Sequence, residues 1–192
     1  MFTSSSRDHD RSLLQFRNPD PVSWVDPTAF GRGLAAGEYR RDWTWLAFVD
    51  ERPVARGVWW GPVGAVHPVE LHCLLVDASL PHPEVWGAAL IRSAHRAFAS
   101  AGAILAPDYV IEVDAALRDD PATQKALAWR ALAATDAGLT LVGESALEDG
   151  SAGSEGSRAD RVRLTFSAQA ARAGRSTAPR PVAEPLALAR EH

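Results

Sequence analysis

VELHCLLVDASLPHPEVWGAALIRSAHRAFASAGAILAPDYVIEV, residues 69–113, decides the fold. It opens with VELHCLLV, a short apolar run that reads as a strand over Val69–Val76. Pro83 to Ala101 then has helical spacing. Trp86, Leu90, Ala94, Ala97 and Phe98 share one face, while Arg92, Ser93 and Arg96 lie away from it. Gly102 is a natural helix stop. DYVIEV (Asp108–Val113) is a second strand. A strand, a helix and a strand in this order make a crossover between parallel strands.

Upstream, WTWLAFV (Trp43–Val49) and VARGVWW (Val54–Trp60) flank the turn Asp50-Glu51-Arg52-Pro53 and read as a hairpin. Trp43 and Trp45 share a strand face. Trp59 and Trp60 point to opposite faces, so one belongs to the core and the other to the surface or a groove. Earlier still, SLLQF (Ser12–Phe16) is a short strand candidate. Asp26 as N-cap and Pro27 at the first turn start a helix to about Ala36, weakened by Gly31 and Gly33. Downstream, Asp120-Pro121 opens a helix that Gly138 closes. LTLVGE (Leu139–Glu144) and RVRLTF (Arg161–Phe166) are the last strands. Such an order gives a mixed sheet with helices packed on it.

The chain has 192 residues, 46% apolar and 23% charged, enough to bury one core. Residues 1–11 are polar and read as a flexible N-terminus. Residues 12–167 form the folded domain, with a Gly/Ser-rich flexible loop at 148–158. Residues 168–192, rich in Pro, Ala and Arg, read as a disordered tail. The net charge of −4 argues against a protein held to nucleic acid or anionic lipid by its overall field. Cys73 is the only cysteine, so an intrachain disulfide and a cysteine zinc cluster are excluded, and the six histidines lack metal-ligand spacing. No apolar run reaches the roughly 20 residues of a membrane span, and the first residues lack the apolar core of a signal peptide. The expectation is a soluble, cytoplasmic protein with no membrane or nucleic-acid partner and no metal. GRGLAAG (Gly31–Gly37) has the wrong spacing for a dinucleotide loop. No Walker loop or Gly-x-Ser-x-Gly elbow is present.

Taken together, three segments resemble the GNAT N-acetyltransferase superfamily over about Ser12 to Phe166. The hairpin WTWLAFVDERPVARGVWW is similar to the family's second and third strands. ELHCLLVD with PEVWGAALIRSAHRAF is similar to its fourth strand and the helix that grips the cofactor pyrophosphate. WRALAATDAGLTLVGE is similar to its last helix and the following strand. The resemblance implies an α/β (α+β) fold: a mixed, mostly antiparallel central sheet of six to seven strands with about four helices on its faces.

The resemblance also implies a site. The family's pyrophosphate loop reads Arg or Gln, two residues, Gly, one residue, then Gly or Ala. Here His82 stands at the first position, Val85 at the first glycine and Gly87 at the last. His82, Val85, Trp86, Gly87 and Ala88 are thus the implied cofactor contacts. Pro81 and Pro83 each lack an N–H, which removes two donors from an anion site of the helix-terminus kind. Leu74 and Val76 match the strand positions whose backbone pairs with the pantetheine arm of acetyl-CoA.

Glu70 and His72, two apart on one strand face, are the catalytic candidates. Some family members use a Glu near this position to take a proton from the amine, often through water. A transfer to an amine needs such a base, because an ammonium cannot attack a thioester. The other reading of Glu70 and His72 is two half-buried polar residues beside a loop. Many family members also have a Tyr four residues before the glycine of the last helix, to protonate the thiolate. Here that position is Ala134. Trp129 has no ionisable proton, and Tyr109 serves only if its strand face is right.

The implied function is acetyl transfer from acetyl-CoA to a primary amine on a small molecule or peptide. The alternative is a catalytically inactive module of the same fold that binds acyl-CoA or a protein partner. The hairpin tryptophans leave room for a homodimer contact.

Overall fold

A computed structural model describes residues 1–9, 21, 22, 25, 27–147 and 161–168. The expected strand at Ser12–Phe16, the cap at Asp26, the loop at 148–158 and the tail from 169 onward lie outside the described residues.

The elements follow in the order β1 (Phe2–Ser4), α1 (Pro27–Ala36), β2 (Tyr39–Val49), β3 (Arg52–Trp60), β4 (Glu70–Val76), α2 (Pro83–Ser100), β5 (Asp108–Asp114), α3 (Pro121–Asp136), β6 (Thr140–Leu147) and β7 (Arg161–Ser167). Short 3-10 turns cover Arg7–His9 and Ala115–Leu117. The seven strands form one sheet in the order β1-β2-β3-β4-β5-β7-β6. Only β4 and β5 run parallel, joined through α2. The mixed, mostly antiparallel sheet matches the sequence reading. Three α-helices are present among the described residues, where about four were expected.

The hairpin is closed by Asp50 and Glu51, both at positive φ (47° and 63°). That two-residue turn matches the twist of the flanking strands. α2 and α3 cover one face of the sheet, with Leu71, Leu74, Val76, Leu90, Ile91, Ala94, Tyr109 and Phe166 in a shared core. α1 covers the other face through Phe30, packed with Leu46, Val58, Cys73 and Leu75. Asp120 caps α3, its side chain accepting from the N–H groups of Ala122 and Thr123. Asp114 caps the preceding 3-10 turn instead.

The N-terminus departs from expectation. Phe2–Ser4 pair with Ala47–Trp45 as an edge strand, and Ser5 is buried. Ser5 N–H donates to Thr44 O at 2.6 Å and its hydroxyl to Arg41 O at 2.9 Å. A short polar stretch such as this gains its order from the waiting edge of β2 rather than from local propensity.

Candidate active site

β4 and β5 pair over two residues only, Glu70 with Asp108 and Leu71 with Tyr109. Beyond Leu71 the two strands part, while β4 keeps its antiparallel pairing to β3 as far as Val76. The register of that pairing slips between Val58 and Trp59, placing an extra residue, His72, in β4 between Leu71 and Cys73. Such a bulge bends the strand and re-aims its side chains. It lies where β4 turns away from β5.

On the parted edge of β4, the Leu74 carbonyl accepts from Arg130 Nη2 of α3 at 3.2 Å. Arg130 also donates to Ala126 O and lies over the Trp129 ring at 4.2 Å. The Leu74 and Val76 side chains are buried in the core, so only their backbones can face the opening.

At the other end of β4, on the α1 face, four side chains are joined. Tyr39 Oη lies 3.2 Å from His72 Nδ1, and His72 Nε2 lies 2.7 Å from Glu70 Oε2. Arg163 Nη2 of β7 donates to Glu70 Oε1 at 2.7 Å. The Trp60 ring stacks on the imidazole with centroids 5.2 Å apart. The proton order that satisfies all of them has the Tyr39 hydroxyl donating to Nδ1 and the Nε2 proton donated to Glu70. Both Glu70 oxygens are engaged. The His72 hydrogen bond, helped by Arg163, holds its carboxyl below the usual range against the opposing effect of burial. Burial pushes the Tyr39 phenol up to about 12, so it stays protonated at neutral pH.

Two features of the sequence bring Tyr39 here. β2 is irregular between Tyr39 and Thr44. In α1, Gly33 lies directly under the Tyr39 ring, where a Cβ would collide with it.

Tyr39 and His72 line a cavity of about 200 Å³ with Val25, Ala29, Val110, Glu112 and Arg161. Drug-sized ligand sites run to roughly 300–1,000 Å³, so this one suits a small molecule or the end of a larger one. Glu112 faces Arg163 across the β5–β7 ladder. Its ion pairs are nevertheless long, 3.5 Å to Arg161 and 3.8 Å to Arg163.

The predicted cofactor residues lie at the start of α2. His82 holds a left-handed conformation (φ 57°) and offers no side-chain cap, its ring turned to Glu84 at 3.1 Å. The Val85 N–H donates to His82 O at 3.1 Å, and Val85 is 55% exposed. Trp86 is partly buried, 6.2 Å from the Phe2 ring. Gly87 and Ala88 are buried. A Cβ on Gly87 would meet Ala133 Cβ at 3.0 Å and Leu74 Cδ2 at 3.2 Å, so this glycine lets α2 close on α3 and β4. Among the described residues, no group of His, Cys, Asp or Glu could hold a metal ion, and no helix is long and apolar enough to cross a membrane.

No family model matches the chain, and no curated protein matches its sequence. Solved structures do match. An acetyltransferase of the GNAT family from Streptococcus pneumoniae superposes with a TM-score of 0.53, covering 86% of this chain and 96% of that one at 12% identity. The chain has a GNAT fold. The GNAT domain of S. lividans PAT aligns at a TM-score of 0.48 and 18% identity, over 86% and 89% of the two chains.

The arrangement inferred from sequence is thus present: hairpin, fourth strand, crossover helix and final strand pair, with the fourth strand parting early from the fifth. Glu70 and His72 come together, whereas His82 to Ala88 form a separate region at the start of α2. Tyr109 is buried in the α2–α3 core and stacks on Phe166, so its face is wrong for the Glu70 cluster. Sequence reading missed Tyr39, Arg163, Glu112 and Arg161. The alternation of RVRLTF places Arg161 and Arg163 on one strand face and was a usable signal. Tyr39 sits ahead of an irregular stretch, where alternation carries no information.

Proposed function

We propose that the protein transfers an acetyl group from acetyl-CoA to a primary amine. The observation that carries this reading is the early parting of β4 from β5 beside the Tyr39–His72–Glu70 cluster. The parted edge offers backbone groups to the donor's pantetheine arm at Leu74 and Val76, and a strand N–H there can meet the oxyanion. Arg130 already holds the Leu74 carbonyl, so an incoming arm shares that acceptor or displaces the guanidinium. The region from His82 to Ala88 would face the pyrophosphate, with the departures described above.

Base chemistry falls to the cluster as a unit. Glu70 alone is a weak base, since both oxygens are engaged and its pKa is held down. His72 accepts the proton at Nδ1, through Tyr39: the ammonium gives a proton to the phenol oxygen as the phenolic proton passes to the imidazole. The imidazolium then faces the Glu70 carboxylate, which orients the ring and balances its charge. The freed amine nitrogen bonds to the thioester carbonyl carbon, and collapse breaks the C–S bond. The second amine proton ends on the departing sulfur, giving the amide and free CoA. A thiolate leaves with little or no assistance, which suits a chain with Ala134 where many relatives have Tyr.

Turnover of acetyl-CoA with a panel of amines tests this, using Glu70→Gln, His72→Ala and Tyr39→Phe beside wild type. We expect kcat to fall by about 10²–10⁴ in His72→Ala and by less in Tyr39→Phe. Melting curves in parallel separate loss of chemistry from loss of fold. Wild-type rates in the folded His72 variant, or no amine acetylated by the wild type, would sink the reading.

A further inference from the structure

We infer that the acceptor carries a carboxylate beside its reactive amine, in the manner of an amino acid. The inference rests on the transferase reading and deepens it, because it concerns what fills the cavity next to His72.

Glu112 lies on the wall of this cavity. Its cross-strand neighbour is Arg163, the residue placed to neutralise it. Arg163 instead makes its short contact to Glu70, at 2.7 Å, and stays 3.8 Å from Glu112. A second cation is Arg161, paired in register with Asp114 rather than Glu112 and reaching Glu112 at only 3.5 Å. Among the described residues, Glu112 is therefore a carboxylate on the cavity wall whose two cations both lie beyond a good hydrogen bond. Arg161 lines the same cavity, and its side chain is 55% exposed. One loosely held anion and one loosely held cation thus face one small space.

A ligand with an ammonium and a carboxylate matches both. Its ammonium goes to Glu112, beside Tyr39 and His72, which places the reacting nitrogen next to the proton relay. Its carboxylate takes the Arg161 guanidinium, whose planar fork suits a carboxylate in two-point contact. Among the described residues, Val25, Ala29 and Val110 make up the rest of the wall, an apolar surface that favours an aliphatic side chain. A plain amine would compete with Arg161 for Glu112 and leave the guanidinium unpaired. A cavity of about 200 Å³ is consistent with a molecule of this size.

Calorimetry on the full chain in the presence of CoA tests this without requiring turnover. The probes are the common L-amino acids, each paired with the amine that lacks its carboxylate, titrated into wild type and Arg161→Gln. We expect at least one amino acid to bind roughly tenfold or more tightly than its amine, and Arg161→Gln to abolish the difference. Equal or tighter binding of the amines, a preference that survives in Arg161→Gln, or no binding of any amino acid would overturn the inference. Acetylation of amines without a carboxylate preference would overturn it while leaving the transferase reading standing. Absence of all turnover would sink that reading instead.

Discussion

His95 shows how one residue couples this core to pH. It lies on α2 between Trp59 and Phe98, and its Nε2 is buried with no hydrogen-bond partner among the described residues. Burial pulls its pKa down to about 4. A histidine kept neutral in the fold binds fewer protons than in the unfolded chain, whose value is near 6.5. Its contribution is thus fully present above about 6.5 and is lost as pH falls toward about 4, to the order of 3 kcal/mol. Denaturant titrations from pH 7 to pH 4 should show this slope, and His95→Phe should flatten it. Equal slopes in the two proteins would refute the assignment. Glu70 adds to the acid loss at lower pH. Its pKa is depressed, so its contribution holds above the ordinary carboxylate range and disappears as pH falls through the folded value.

The catalytic candidates were partly legible at this scale. Glu70 and His72 stand two apart on a strand, which sufficed to pair them. Parity assigned Trp59 and Trp60 to opposite sides, and the structure buries Trp59 and stacks Trp60 on His72. Arg130 was not legible. The sequence reading did not single it out, and it is buried against the Leu74 carbonyl, a contact set by tertiary packing.

At the scale of elements, α1 separates two glycines that look alike in sequence. Nothing lies within 4 Å of a Cβ placed on Gly31, whereas one on Gly33 runs into the Tyr39 ring. Glycine costs a helix interior about 0.5–1 kcal/mol relative to alanine. Gly31→Ala should therefore stabilise the protein by about that amount and leave turnover alone. Gly33→Ala gains the same propensity but must push Tyr39 from His72, so turnover should fall and the stability gain should vanish. Thermal melts and rates on the two variants check this. Equal behaviour would mean that Gly33 does not position the phenol. Sequence alone supplied the glycines as a weakness of the helix. Their difference depends on how β2 enters the sheet after α1.

The elements themselves were read best where local pattern and tertiary role agree. α2 carries its buried face at helical spacing, and Gly102 follows it. β1 was missed because its three residues carry no pattern of their own.

At the scale of the whole molecule, β1 matters because it covers the outer edge of β2, an edge that would otherwise present unpaired backbone groups. Phe2 also packs against the core beside Trp86 of α2. Removing residues 1–5 should lower the melting temperature and promote self-association, readable by light scattering. An unchanged melt and a monodisperse solution would show that the edge needs no cover.

The central claim is that the opening between β4 and β5, with the start of α2, receives an acyl-CoA. Titration of the full chain with acetyl-CoA by calorimetry tests it most directly, with Val85→Glu alongside. Val85 is exposed in the first turn of α2, where an added carboxylate suits the helix dipole but repels a pyrophosphate. The account predicts saturable binding by the wild type, weakened about tenfold or more in a variant that melts no lower. No binding at millimolar acetyl-CoA, or equal affinity in the two proteins, would contradict it.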